Sequence, residues 1–167
     1  MDLSIVRSWS DFIIMARAKI NLPLQFPFST ELPIRISDIN YGGHLGNDAV
    51  LSLVHEARVR FLRQLGYSEF DIEGNGIVMT DAVVVYSSEG FYGDVLSIEV
   101  GTSDFQSTQC DVVYRLTNKQ TKKEIARVKT GIAFLNKQTR KIAAVPEAFR
   151  KKCESATAAL SDTSAPS

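Results

Sequence analysis

Alternation of apolar and polar positions first becomes regular over residues 31–38, where Leu32, Ile34 and Ile36 are interleaved with Pro33, Arg35 and Ser37. That period of two is the mark of a half-buried strand. The pattern breaks at Tyr41-Gly42-Gly43 and gives way to a helical one: Val50, Leu53, Val54, Ala57, Phe61 and Leu65 recur at three- and four-residue spacing and predict a helix over 47–65 with one apolar stripe. Asn47 or Asp48 is suited to cap its N-terminus, and Gly66 to end it. After a polar connector, 67–76, four further alternating segments (77–88, 94–103, 108–117 and 124–136) read as strands, separated by turn-forming residues at 89–93, 104–107 and 118–123. A short helix is expected over 146–153, with Pro146 in its first turn.

The flanks carry weaker signals. Pro23 and Pro27 make 21–29 an extended lead-in. Residues 1–14 read as a loosely held extension, with Met15 as an alternative start. The Ser-, Thr- and Ala-rich stretch 154–167 has little to bury and is expected to be flexible. The expected organisation is therefore an N-terminal extension and lead-in (1–29), one domain (30–153) and a tail (154–167). Its order, β-α-β-β-β-β, requires the helix to cover the apolar face of an antiparallel sheet of about five strands, an α+β architecture.

Composition narrows the function. Of 167 residues, 44% are hydrophobic, enough for a core without metal or disulfide staples. Basic and acidic residues balance at 19 each, so no global charge points to nucleic acid or an anionic membrane. No apolar run approaches the roughly 20 residues of a membrane span. The two cysteines, Cys110 and Cys153, read as buried structural thiols of a reducing compartment, and a cytoplasmic location is expected.

The candidate chemistry is concentrated in the loop before the long helix, Ser37-Asp38-Ile39-Asn40-Tyr41-Gly42-Gly43-His44-Leu45-Gly46-Asn47, followed by His55-Glu56-Ala57-Arg58. Taken singly, these residues have ordinary structural uses: Asp38 capping a turn, Asn40 in an Asx-turn, Asn47 capping the helix. A turn needs one such residue, whereas this segment supplies Asp, Asn, His and Asn around two glycines. Glu56 lies well off the apolar stripe and is placed to pair with Arg60 at i,i+4. His55, although adjacent to Glu56, points about 100° away from it on a helix and is left out of the site.

The loop, the Glu-Ala-Arg helix and the element order resemble the 4-hydroxybenzoyl-CoA thioesterase branch of the hot-dog superfamily over about residues 31–148. The resemblance implies a sheet wrapped around the long helix, homodimers or homotetramers built by edge-to-edge sheet pairing, and hydrolysis of acyl-CoA at the dimer interface. No cofactor or metal is implied beyond the coenzyme A of the substrate. Thioester hydrolysis needs donors aimed at the developing oxyanion and an activated water or carboxylate nucleophile. The amides of Gly46 and Asn47 at the helix N-terminus match the first role. Gly42 and Gly43 allow close backbone approach there. Asn40 stands where relatives carry a catalytic aspartate, so water activation is left to Asp38, His44 or Glu56, with Asn40 orienting the water or binding the thioester. Lys119, Lys122 and Lys123 in one turn, and Arg140, Lys141, Arg150, Lys151 and Lys152 near the end, are candidates for a phosphate-binding rim. Two other functions fit the same fold: an acyl-CoA-binding module without turnover, and a hydratase or dehydratase.

Overall fold

The computed structural model describes residues 18–162. The expected extension at 1–14 lies outside the described residues, as does the tail beyond 162. The elements follow in the order β1 (Phe28–Pro33), α1 (Asn47–Gln64), β2 (Asn75–Tyr86), β3 (Val95–Ser103), β4 (Gln109–Asn118), β5 (Glu124–Asn136), β6 (Ile142–Ala143) and α2 (Glu147–Asp162). The strands form one antiparallel sheet in the order β1-β3-β4-β5-β2, with the two-residue β6 pairing the end of β5. This is the hot-dog arrangement: α1 lies in the concave face of the sheet and buries Val50, Leu53, Val54, Ala57, Phe61 and Leu62 against Leu96, Ile98 and Val100 of β3 and Tyr114 and Leu116 of β4.

Four elements depart from the sequence pattern. The first strand is shifted toward the N-terminus: β1 runs Phe28–Pro33, opposite Val100 to Val95 of β3, so the lead-in ends at Pro27. Residues Ile36–Asp38 form a 3-10 turn, which turns Ile36 out to solvent although it continues the alternation. A sixth strand, too short to show a period, closes the end of β5. The C-terminal helix does not stop near Cys153 but continues to Asp162, where a flexible tail from 154 was expected. Its anchor is Phe149, fully buried, with ring centroids 5.8, 6.2 and 5.5 Å from Tyr67, Phe105 and Phe134.

β2 pairs with β5 on one side, and its other edge meets no strand among the described residues. Val78, Met79 and Tyr86 on it are exposed, as are Phe91 and Tyr92 in the loop that follows.

Candidate active site

The loop before α1 is a miniature hairpin. Ile39 and Leu45 form an antiparallel bridge, Asn40 N–H donates to the His44 carbonyl at 2.9 Å, and Gly43 N–H to the Asn40 carbonyl at 3.0 Å. Gly43 takes φ +81°, a left-handed conformation open to glycine at little cost. A second tie, Leu45 N–H to the Gly90 carbonyl at 2.8 Å, fastens this hairpin to the loop between β2 and β3.

Asp38 is buried beneath the hairpin. Its Oδ2 accepts from Arg35 N–H at 2.8 Å and Nε–H at 3.1 Å, and its Oδ1 from Nη2 at 3.0 Å. Burial alone would raise the pKa of this carboxyl, but the Arg35 contacts outweigh it and hold the group below the ordinary carboxylate range. Both oxygens are thus committed, and a weakened base remains. Because the folded pKa is lowered, Asp38 stabilises the fold above its unfolded pKa, and that contribution is lost as pH falls through the folded value. Thermal unfolding midpoints measured from neutral pH into acid should fall less steeply for Asp38→Asn than for wild type.

The Asp38 carbonyl accepts the Gly46 amide at 2.8 Å. This corrects the expectation that Gly46 N–H is free for an oxyanion. A β-carbon at 46 would lie 2.7 Å from Asp48 Oδ1, so a larger residue there would displace the Asp48 side chain. Gly46 is also the N-cap, without a side-chain hydrogen bond, and Asn47 is the first helical residue rather than the cap. The amides of Asn47 and Asp48 therefore have no intrahelical acceptor and face outward with the positive end of the helix dipole.

Asn40 and His44 sit side by side. Gly42 N–H donates to Asn40 Oδ1 at 2.9 Å, which turns the Asn40 NH2 toward His44 Nδ1 at 3.4 Å. His44 Nδ1 also lies 3.3 Å from the Leu45 carbonyl. A β-carbon at Gly42 would be 3.0 Å from His44 Nε2, so glycine there leaves room for the ring.

His44 and Asn47 line one cavity of about 260 Å³ with Val50 of α1, Tyr86, Ser87, Ser88 and Glu89 at the end of β2, and Ile125 of β5. Water occupies about 30 Å³, so the space suits a thioester group with a few waters. Tyr86 O–H donates to the Asn47 carbonyl at 3.0 Å, and its pKa is raised by burial and then by the charge of Asp48. A larger groove of about 630 Å³, lined by Pro23, Leu24, Phe105 and Cys153 among others, shares none of these residues, and burial pushes its thiol up to about 11. Among the described residues, no group of three His, Cys, Asp or Glu side chains could hold a metal ion.

Of the sequence candidates, the structure brings Asn40, Gly42, His44 and Asn47 together. Asp38 is beneath the loop, and Glu56 is on the outer flank of α1. There Glu56 Oε1 accepts from Arg60 Nε at 2.7 Å, and Arg60 continues to Thr30 Oγ1 at 3.0 Å. Exposed pairs of this kind contribute about 0.3–0.5 kcal/mol, so Glu56→Ala should shift the melting midpoint little and leave turnover near wild type in a thiol-release assay. His55 pairs with Glu69 at 2.9 Å, not with Glu56, and Glu69 also holds the buried Arg58 at 2.7 Å. Lys119 is paired with Glu31 at 2.7 Å. Sequence missed the part of the wall formed by Ser87 to Glu89, because only the register of β2 against β5 carries these residues to the mouth of α1.

The thioesterase-like superfamily matches residues 34–153. The chain belongs to that superfamily. No curated protein sequence matches it significantly. Among solved structures, a thioesterase-superfamily protein from Jannaschia sp. CCS1 superposes with a TM-score of 0.73 at 18% identity, over 81% of this chain and 86% of that one. A hypothetical protein from Staphylococcus aureus in complex with CoA gives 0.71 at 18%, over 84% and 89%. A 1,4-dihydroxy-2-naphthoyl-CoA thioesterase from Synechocystis gives 0.68 at 19%, over 75% and 94%. At these identities the likeness is one of fold. No helix among the described residues is long and apolar enough to cross a membrane.

Proposed function

We propose that this superfamily member hydrolyses acyl-CoA thioesters to the free acid and CoA in the cavity at the N-terminus of α1. The observation that carries the proposal is that His44 and the uncapped first turn of the helix, at Asn47, face the same small cavity. The Asn47 amide stabilises the oxyanion as the carbonyl becomes tetrahedral, and the helix dipole adds to it. Acid–base work falls to His44, since the carboxylates of Asp38 and Glu56 are engaged by Arg35 and Arg60. Asn40 orients the imidazole. The CoA-bound Staphylococcus aureus neighbour and the thioesterase neighbours support this substrate class.

The active form in this proposal is a homodimer, or a homotetramer built from it, joined along the open edge of β2. A 12-residue strand with an unpaired edge and exposed Val78 and Met79 favours such pairing.

The reading is tested by free-thiol release from a series of acyl-CoAs, acetyl to palmitoyl and benzoyl, with purified protein. Turnover of any member supports it. CoA-ester binding with no turnover would replace it with the acyl-CoA-binding module, which Asn40 in place of a catalytic aspartate would then explain.

A further inference from the structure

We infer that Glu89 is the proton acceptor for the attacking water, the carboxylate that Asn40 does not supply. The inference rests on the thioester-hydrolysis reading and assigns one residue within it.

His44 by itself leaves half of the acid–base work undone. The Asn40 side chain is pinned by Gly42 N–H on Oδ1, so its NH2 faces His44 Nδ1 whatever the ring does. An NH2 only donates, and a proton on Nδ1 would set two donors face to face. With its proton on Nε2 the neutral ring accepts from Asn40 and donates toward the cavity, whereas the Leu45 carbonyl, 3.3 Å from Nδ1, accepts in the other tautomer. In the Nε2–H tautomer the proton acceptor comes from elsewhere on the cavity wall.

Glu89 lines that wall. Its carboxylate has no hydrogen bond or ion pair among the described residues. The surrounding acids are already engaged: Asp38 by Arg35, Asp94 by Phe91 N–H at 2.9 Å, and Glu124 by Arg127 at 2.8 Å. Asp48 is unpaired as well and, like Glu89, exposed, but it does not line the cavity.

The backbone on either side of Glu89 is fixed. Ser88 N–H donates to the Ile125 carbonyl at 3.2 Å, and Ser88 Oγ to the Glu124 carbonyl. On the other side the Gly90 carbonyl accepts from Leu45, and a β-carbon on Gly90 would fall 2.7 Å from Ile34 Cδ1. An unpaired carboxylate held between two anchored neighbours, exposed at the edge of a cavity that His44 and Asn47 also line, is available for catalysis.

In the step assigned to it, Glu89 removes a proton from water as the water oxygen bonds to the thioester carbonyl carbon. The carbonyl electron pair moves onto oxygen at the Asn47 amide. The intermediate collapses with cleavage of the carbon–sulfur bond, and the leaving thiolate takes the proton from the Glu89 carboxyl, with His44 Nε2–H donating to the sulfur. Carboxylate, acid and thiol are restored in balance.

Glu89→Gln is tested with the fastest substrate of the acetyl-to-palmitoyl and benzoyl series, in water and in neutral hydroxylamine. Hydroxylamine attacks through a free lone pair and needs no prior deprotonation. The expected result is a fall in kcat for hydrolysis of about 100-fold or more, a nearly unchanged KM, and hydroxamate formation within a few-fold of wild type. In Glu89→Ala, added formate should restore part of the hydrolysis. Hydrolysis near the wild-type rate in both variants would overturn the role of Glu89 while leaving the thioesterase reading intact. Loss of hydrolysis and hydroxamate formation together would also overturn it, because a group needed for either nucleophile acts on binding or folding. No hydrolysis by wild type on any thioester would remove both proposals.

Discussion

His44→Ala is expected, on the proposed mechanism, to lower kcat for thioester hydrolysis by about 100- to 10,000-fold, the range for loss of a positioned acid–base group. KM is expected to change little, because in the proposed mechanism His44 acts on the reacting atoms. The effect is confined to chemistry: His44 is only half-buried, its ring contacts are 3.3 and 3.4 Å, and its main-chain bond to Asn40 N–H survives the substitution. Thermal unfolding therefore stays close to wild type, so a fall in activity without a fall in melting temperature is the readout. Asn40→Ala provides the companion. It removes the amide that faces His44 Nδ1 at 3.4 Å, and part of the rate should remain. Wild-type turnover in His44→Ala would remove the imidazole from the mechanism, and a melting temperature lowered in parallel with kcat would recast His44 as a loop brace.

The long periods of the fold were legible before any coordinates, and the short ones were not. Strand β5 begins at Glu124 and ends at Asn136 as the alternation predicts, and α1 begins at Asn47, because both bury a continuous face that repeats over many residues. Residues 31–38 misled for the opposite reason. Leu32 and Ile34 are buried, but Ile36 belongs to a one-turn 3-10 helix, and three alternating residues cannot distinguish the two. In the site, the identity of the loop residues was readable, whereas their commitments were not. That Asp38 is consumed by Arg35 depends on a turn that folds residue 35 back over residue 38. That Gly46 N–H is spent on the Asp38 carbonyl depends on the hairpin closing at Ile39 and Leu45. Glu89 was hidden most deeply. It lies 45 positions after His44 and reads as part of a turn, and only pairing of β2 with β5 brings it to the helix.

Phe149→Ala is expected to cost about 3–5 kcal/mol of folding stability, the range for deleting a fully buried aromatic side chain. A ring in contact with Tyr67, Phe105 and Phe134 joins four separate parts of the chain: α2, the connector after α1, the loop between β3 and β4, and the end of β5. Polar residues cover much of the rest of α2, and its other attachments include the buried Cys153, Arg150 over the Phe105 ring at 5.4 Å, and Lys152, which donates to the Leu65 carbonyl at 3.1 Å and lies 4.2 Å from the Tyr67 ring. None of these buries an aromatic ring as Phe149 does, so they hold the helix less firmly against the entropy of ordering its residues. Without Phe149 the helix should detach before the sheet unfolds, exposing its amides to hydrogen exchange. The melting temperature should drop by roughly 10 °C, while His44, Asn47 and the cavity wall keep their arrangement in molecules that remain folded. The distinguishing measurement is exchange protection read segment by segment together with thiol release below the new midpoint. Retained turnover with an unprotected α2 would mark the helix as a brace for the sheet. Loss of turnover at a temperature where β3 and β4 are still protected would mean that α2 transmits its packing to the loop at the far end of α1, and the separation between core and site drawn here would fail.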